Sequence, residues 1–314
     1  MYGIDMYNTS DLSLLPPTSY YVFCNLFGAE ENIDCLKSLL NSILKGNPSV
    51  EKIILKPTEY KKRTKDGKSI RADIMADIND KTMVDIEMQC SNLNNSLDRM
   101  IFYQALHRSR SIEEGDDYEE MPQIISIWIL IHSLYGDRND CTHEIKLALY
   151  DSDDVYVREA SDKERIIVVE LDKLPSYIEK LKHTKTQDEI DRFSAWMSFI
   201  TNPLNMPEEC NHIEEIQKAL EKLKGMSNNP NIRAEYNQAM REKSDLTMNY
   251  NKGFDKGKEQ GREEGLEDGR EEGARQMAIE TAKNLLKMNV LTIEQIAEAS
   301  ELSIEDVMRL KKDC

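Results

Sequence analysis

Asp73, Glu87 and Gln89 are the residues best placed to do chemistry together. Ile70, Ala72, Ile74, Ala76 and Ile78 alternate with Arg71, Asp73, Met75 and Asp77. Thr82, Val84, Ile86 and Met88 then alternate with Met83, Asp85, Glu87 and Gln89. Period-two alternation of this kind predicts two strands, each with one apolar face, and Asn79, Asp80 and Lys81 supply the turn between them. If those residues form a three-residue hairpin loop, Ile78 pairs with Thr82, Asp73 falls opposite Glu87, and Arg71 falls opposite Gln89. All four then share the polar, solvent-facing side. Directly opposed side chains have Cβ atoms about 5 Å apart, close enough for two carboxylates to share one hard cation such as Mg²⁺. Without a cation the two charges repel. The same alternation also describes an ordinary solvated sheet face, so the spacing alone leaves both readings open.

The elements that must position this hairpin are legible on either side of it. Ile33, Leu36, Leu39, Leu40, Ile43 and Leu44 recur at helical spacing before Gly46 and Pro48, which predicts a first helix over 31–46. A second helix is expected over about 95–113, a buried strand over 124–131 (IISIWILI), a short strand over 166–171 and a helix around 193–199. Together these predict one α/β or α+β domain over 1–205, followed by helical charged connectors over 206–251.

Length and composition bound the function. The chain has 314 residues, 41 Lys and Arg against 58 Asp and Glu, and a net charge of -17. That balance argues against nonspecific coating of nucleic acid by the whole surface, so any such contact must be local or metal-assisted. The one basic stretch runs from Lys52 to Arg71, with eight basic side chains, among them Lys61, Lys62 and Arg63, against Glu59 and Asp66. It is read either as a phosphate-contacting segment or as a lysine-protected strand edge. Six cysteines are scattered with no CxxC pair, which points to free thiols in a reducing cytoplasm. The N-terminal residues lack a basic and apolar leader pattern, and IISIWILIHSL is too short to span a bilayer, so neither secretion nor membrane insertion is expected.

The last quarter of the chain changes character. Glycines at 253, 257, 261, 265, 269 and 273 recur every fourth residue, and 14 of the 24 residues in 252–275 are charged. Six glycines inside a helix would cost roughly 1 kcal/mol each, so the expectation is a flexible solvated linker; the alternative is a close-packed helix pair used for self-association. Residues 276–314 regain amphipathic spacing, with Thr292 and Ser303 as N-caps of two short helices in a helix-turn-helix-like arrangement. Residues 290–314 carry six acidic and three basic side chains, which favours a packing or oligomerisation module over a DNA reader.

Several segments taken jointly resemble a known family. They are NLFGAEEN at 25–32 with LLNSIL at 39–44, RADIMADI and VDIEMQ, Arg99 to Tyr103, Gly115 and Tyr118 before Pro122, VVELDKLP at 168–175, Trp196 with Phe199, the glycine repeat and the tail. This pattern is similar to the recombination-promoting nuclease (Rpn) and transposase branch of the PD-(D/E)XK phosphodiesterases. The resemblance implies a restriction-endonuclease-like core with a helical C-terminal extension, and a cytoplasmic bacterial enzyme that cleaves DNA. It implies Asp73 and Glu87 as ligands of Mg²⁺, or of Mn²⁺ in its place, with the Met88 carbonyl as a third. Gln89 stands where the wider superfamily has lysine, and an amide there orients a group without supplying charge. Even so, Gln89→Lys is expected to retain or raise activity. Arg71, Arg99 and Tyr103 are expected to contact phosphate or support the site, while Glu30 and Glu31 are read as helix-dipole partners. The rival reading is an interaction or assembly protein that keeps the fold without the chemistry, and a homo-oligomer formed through the C-terminal region is expected in either case.

Overall fold

A computed structural model describes residues 14–59, 72–89, 96–136, 139–184 and 191–312. The chain opens with α1 (Tyr20–Phe27) and α2 (Ile33–Leu44), followed by β1 (Ile53–Lys56), β2 (Ile74–Ile78) and β3 (Thr82–Gln89). Next come α3 (Ser96–Arg110), β4 (Gln123–Leu130), β5 (Thr142–Lys146), β6 (Ala148–Tyr150), β7 (Tyr156–Glu159) and β8 (Glu164–Glu170). Helices α4 (Leu174–Thr184), α5 (Arg192–Thr201), α6 (Glu214–Asn228), α7 (Pro230–Met288), α8 (Ile293–Ser300) and α9 (Ile304–Lys312) complete it.

Six strands form one mixed sheet in the order β1-β2-β3-β4-β8-β5. The strands β3, β4 and β8 are parallel at its centre, and antiparallel neighbours flank them. Parallel strands need both faces covered, and the two faces are covered by different helices. On one face Ile74, Ile78, Val84, Ile86, Ile125, Ile127 and Ile129 pack with apolar residues of α1, α2, α5 and α6. On the other, Met100 and Tyr103 of α3 pack on Trp128, Leu130, Ile166 and Val168.

The sequence did not announce α1. Its run YYVFCNLF buries Val22, Phe23, Leu26 and Phe27 but has too few polar residues to show a helical period. Gly28 ends it where a Cβ would lie only 2.6 Å from the Cys24 carbonyl oxygen, so a side chain there would crowd the last turn of the helix itself.

The first compact unit reaches Ala239, past the boundary expected at 205. The residues read as a connector include α6, whose Ile216, Ala219, Leu223 and Met226 belong to the main core. Ser227 Oγ also accepts a hydrogen bond from the Leu15 N–H at 2.8 Å. The second unit, Met240–Cys314, contains most of α7, which is helical straight through the glycine repeat. The flexible-linker expectation is therefore overturned. The residues between the glycines are mainly Glu, Lys, Arg, Gln, Leu and Ala, all strong helix formers. Residues 252–277 are exposed along their whole length. Beyond them Ala282 of α7 packs with Ile296 and Ala297 of α8 and Val307 of α9 in a small separate core, and Thr292 and Gln295 form a reciprocal capping box.

Burying Ile216, Leu223 and Met226 contributes about 1.5–3 kcal/mol each, together comparable with the whole net stability of a domain, ~5–15 kcal/mol. A chain truncated after Ala239 is expected to melt cooperatively near the full-length midpoint. Truncation after Asn205 should abolish the cooperative transition, as followed by circular dichroism; an unchanged melt for that shorter chain would show that α6 is dispensable.

Candidate active site

The hairpin turn fixes the site. Asn79 and Asp80 both adopt left-handed backbone angles, φ 52° and 63°, which Asn and Asp tolerate better than most residues. The Asn79 amide donates to the Ser49 carbonyl at 2.6 Å and its oxygen accepts from the Glu51 N–H at 3.0 Å, tying the turn to the segment entering β1. Ile78 pairs with Thr82 and Ile74 with Ile86, the register expected from the sequence. Asp73, one residue before β2, continues it.

Asp73 and Glu87 meet through each other's backbone. The Met88 N–H donates to Asp73 Oδ2 at 2.6 Å, and the Asp73 N–H points at Glu87 Oε1 at 3.3 Å. The Cys24 thiol of α1 reaches the Asp73 carbonyl oxygen at 3.2 Å, so α1 braces the turn of chain that carries the first carboxylate.

The polar face is only partly open to solvent, contrary to the sequence expectation: α3 covers Asp85 and Glu87, while Asp73 and Gln89 stay half-buried. Glu87 is 2% exposed and Asp85 0%. Burial pushes the Glu87 carboxyl well above the usual range, and the charges of Asp85 and Asp73 push it the same way; Arg99 and the Asp73 N–H oppose them. Arg99 on α3 donates through Nη1 to Gln89 Oε1 at 2.8 Å and through Nη2 to the Tyr103 hydroxyl at 3.1 Å. Nη2 also lies 3.5 Å from Glu87 Oε2. Its guanidinium carbon stands 5.1 Å from the Tyr103 ring centroid and 5.4 Å from that of Trp128, within cation–π range. Tyr103 is itself buried, which raises its hydroxyl pKa, so it supports Arg99 from inside the fold.

Sequence reading missed three parts of this assembly. Trp128 of β4 pairs in register with Glu87, and in a parallel pair that places it on the same face. Asp85 and His107 form a fully buried pair, Oδ2 to Nε2 at 3.0 Å, which anchors the far end of α3. Glu170 ends β8, whose register through Leu130 aligns it with Gln89. Burial alone would raise the Glu170 carboxyl, but Lys173 and the backbone N–H groups of Leu134 and Tyr135 together hold it below the usual range. His143 Nε2 completes that set at 2.9 Å, and the Ile131 N–H donates to the Gln89 carbonyl oxygen at 3.2 Å. The segment after β4 is thereby pinned at the same carboxyl edge of the parallel strands, where open α/β sheets place their ligands.

Arg71, Lys61, Lys62 and Arg63 lie outside the described residues, as does the hairpin signal at Asp66 and Gly67. Glu31 pairs with Lys222 of α6 at 2.8 Å, in keeping with a structural role. Among the described residues no cluster of three or more His, Cys, Asp or Glu side chains forms a metal cage. What the site offers is two carboxylates with oxygen donors and a burial penalty on one of them that a cation would offset. Such an open oxygen site fits a hard divalent ion that keeps several waters, and does not fit a closed structural zinc.

Because Glu87 holds its proton more tightly folded than unfolded, the folded state carries the extra proton above the usual glutamate range. Stability of the metal-free protein should therefore fall as pH rises there. Glu87→Gln is expected to flatten that fall and to be the more stable protein at about pH 8, measured by denaturant melts in chelator against melts at about pH 5. An equally steep fall in the variant would place the pH dependence elsewhere.

Comparison with curated proteins and with solved structures gives no match. The sequence pattern of the PD-(D/E)XK nuclease family transposases matches residues 17–253, a span that contains the sheet, α3 and every residue of the carboxylate site. With its mixed sheet, helix-covered faces and paired acidic strands, the chain belongs to the PD-(D/E)XK nuclease family transposases.

Proposed function

We propose that the protein is a divalent-metal-dependent DNA endonuclease, working with Mg²⁺ and tolerating Mn²⁺, whose active site is Asp73, Glu87 and Gln89. The observation that carries this reading is the crossed contact between the two carboxyl residues at the carboxyl edge of the sheet, with Glu87 buried. The Met88 N–H faces Asp73, and the carbonyl of a strand residue points to the same side as its N–H, so the Met88 carbonyl is the natural third oxygen. A bound divalent ion would make water a better nucleophile near neutral pH and screen charge building on the phosphate. The chain's own residues do the rest. Asp73 and Glu87 fix the donor oxygens relative to one another, α3 and Trp128 exclude water from behind them, and Gln89 presents an amide that orients the attacking water or a phosphate oxygen.

Among the described residues no helix is long and apolar enough to cross a membrane. The free thiols of Cys24, Cys35, Cys141 and Cys210 favour a reducing compartment, and we place the enzyme in the bacterial cytoplasm.

Residues 252–314 are proposed to join two copies of the chain. Along α7 the row Lys252, Lys256, Gln260, Glu264, Asp268 and Glu272 flanks the glycines at four-residue spacing. A row at four-residue spacing drifts by about 40° per step around a straight helix, so the glycines would let two such backbones approach closely where the helices cross.

Nicking of supercoiled plasmid in Mg²⁺ tests the catalytic assignment. Asp73→Ala is expected to lose activity by about 10²-fold or more, and so is Glu87→Gln, preferred to Ala because it leaves no cavity in a buried position. Gln89→Ala should lose less. Undiminished cleavage by the Asp73→Ala, Glu87→Gln double variant would show that this is not the active site. For the tail, sedimentation should give the full chain twice the mass per particle, relative to its monomer, of a chain ending at Ala239; equal association states would sink the dimer.

A further inference from the structure

The contacts of Arg99 assign it a role that differs from gripping the substrate. A guanidinium has only donors, so its 2.8 Å contact fixes the Gln89 amide with Oε1 toward Arg99 and the amide N–H₂ turned the other way. The second terminal nitrogen is engaged by Tyr103 and lies beside Glu87. The Tyr103 and Trp128 rings, 5.4 Å apart, both lie to one side of the guanidinium, and its terminal nitrogens are already directed at Gln89, Tyr103 and Glu87. It acts through Gln89 and Glu87.

Hydrolysis of a phosphodiester builds negative charge on the phosphate oxygens, and nearby positive charge stabilises it. Gln89 supplies none. We propose that Arg99 and Gln89 form one unit, in which Arg99 delivers from α3 the positive charge that position 89 lacks and sets the amide as a donor, so that the site accepts a cation at 89 or at 99 but not at both. Arg99 is thus a positioning residue. This rests on the nuclease reading for its catalytic half, and on contact geometry alone for the pairing.

The pairing reverses the sequence expectation for Gln89→Lys. A lysine there would exchange the amide oxygen for an ammonium beside the guanidinium, so an attractive contact becomes a like-charge one. The single substitution should harm the protein, and removing Arg99 should relieve it.

The test is a four-protein cycle of wild type, Gln89→Lys, Arg99→Gln and the double variant, read by thermal melting in chelator and by plasmid nicking in Mg²⁺. Arg99→Met, which keeps an unbranched chain beside the two rings, runs in parallel in case Arg99→Gln folds poorly. Gln89→Lys is expected to lower the melting midpoint by roughly 2–4 °C when Arg99 is present and not to lower it when Arg99 is Gln or Met. Nicking should fall about tenfold or more in each single variant and recover at least about tenfold in the double variant over Arg99→Gln. A purely packing role for Arg99 would not produce rescue by a charge introduced at position 89. Gln89→Lys as stable and active as wild type, or a double variant no better than either single by both readouts, would overturn the proposal. If wild type itself shows no Asp73-dependent nicking, the nuclease reading fails, and the melting cycle still decides whether Arg99 and Gln89 are coupled.

Discussion

Glu87 is a carboxylate placed where a carboxylate does not want to be charged. It is 2% exposed, with Asp85 and Asp73 on either side, and the opposition to its ionisation comes first from burial and then from those two charges. Much of the nearby fold makes sense as support for that placement. The Asn79–Lys81 turn sets the register that brings Asp73 opposite, α3 covers Glu87, and Arg99 stands close enough to temper the repulsion without neutralising both acids. A site so arranged gains most from a divalent ion, which relieves repulsion between two acids where a single arginine relieves part of it.

The supporting shell is spread over many elements, which gives the geometry its rigidity. Cys24 braces Asp73 from α1, the Asp85–His107 pair holds the far end of α3, and Glu170 with Lys173 and His143 fixes the segment beside Gln89. Apart from Lys173, which is three residues from Glu170, these contacts join residues at least 22 apart in sequence. Loss of any of them would loosen the carboxylate pair without touching it, and reacting groups must be held to well under an ångström for catalysis.

Much of this was legible in the sequence, for identifiable reasons. The hairpin register could be read because strand period and turn chemistry agree over residues 70–89. Helix α2 carries a strong periodic signal, and β4 shows as a β-branched, largely apolar run. What could not be read was burial on the polar face, since Asp85 and Glu87 alternate with apolar residues just as solvent-facing residues do, and only α3 makes the difference. The strands β5, β6 and β7 are short and half-exposed or exposed, so they lack an apolar stripe. In α7 the glycine penalty is local and obvious, whereas the propensity of the residues between the glycines is dispersed. Helix α6 was legible as a charged helix but not as part of the core, although Ile216, Ala219, Leu223 and Met226 recur at helical spacing on one face.

The central claim is that Asp73 and Glu87 together hold one divalent ion. Titrating the full-length protein with Mn²⁺, followed by calorimetry and by the loss of the free-ion magnetic resonance signal, tests it directly and without substrate. The arrangement requires one saturable site per chain that disappears in the Asp73→Asn, Glu87→Gln double variant while the melting transition persists. Binding that survives in that variant with unchanged affinity, or a folded wild-type chain that binds no ion, would contradict it.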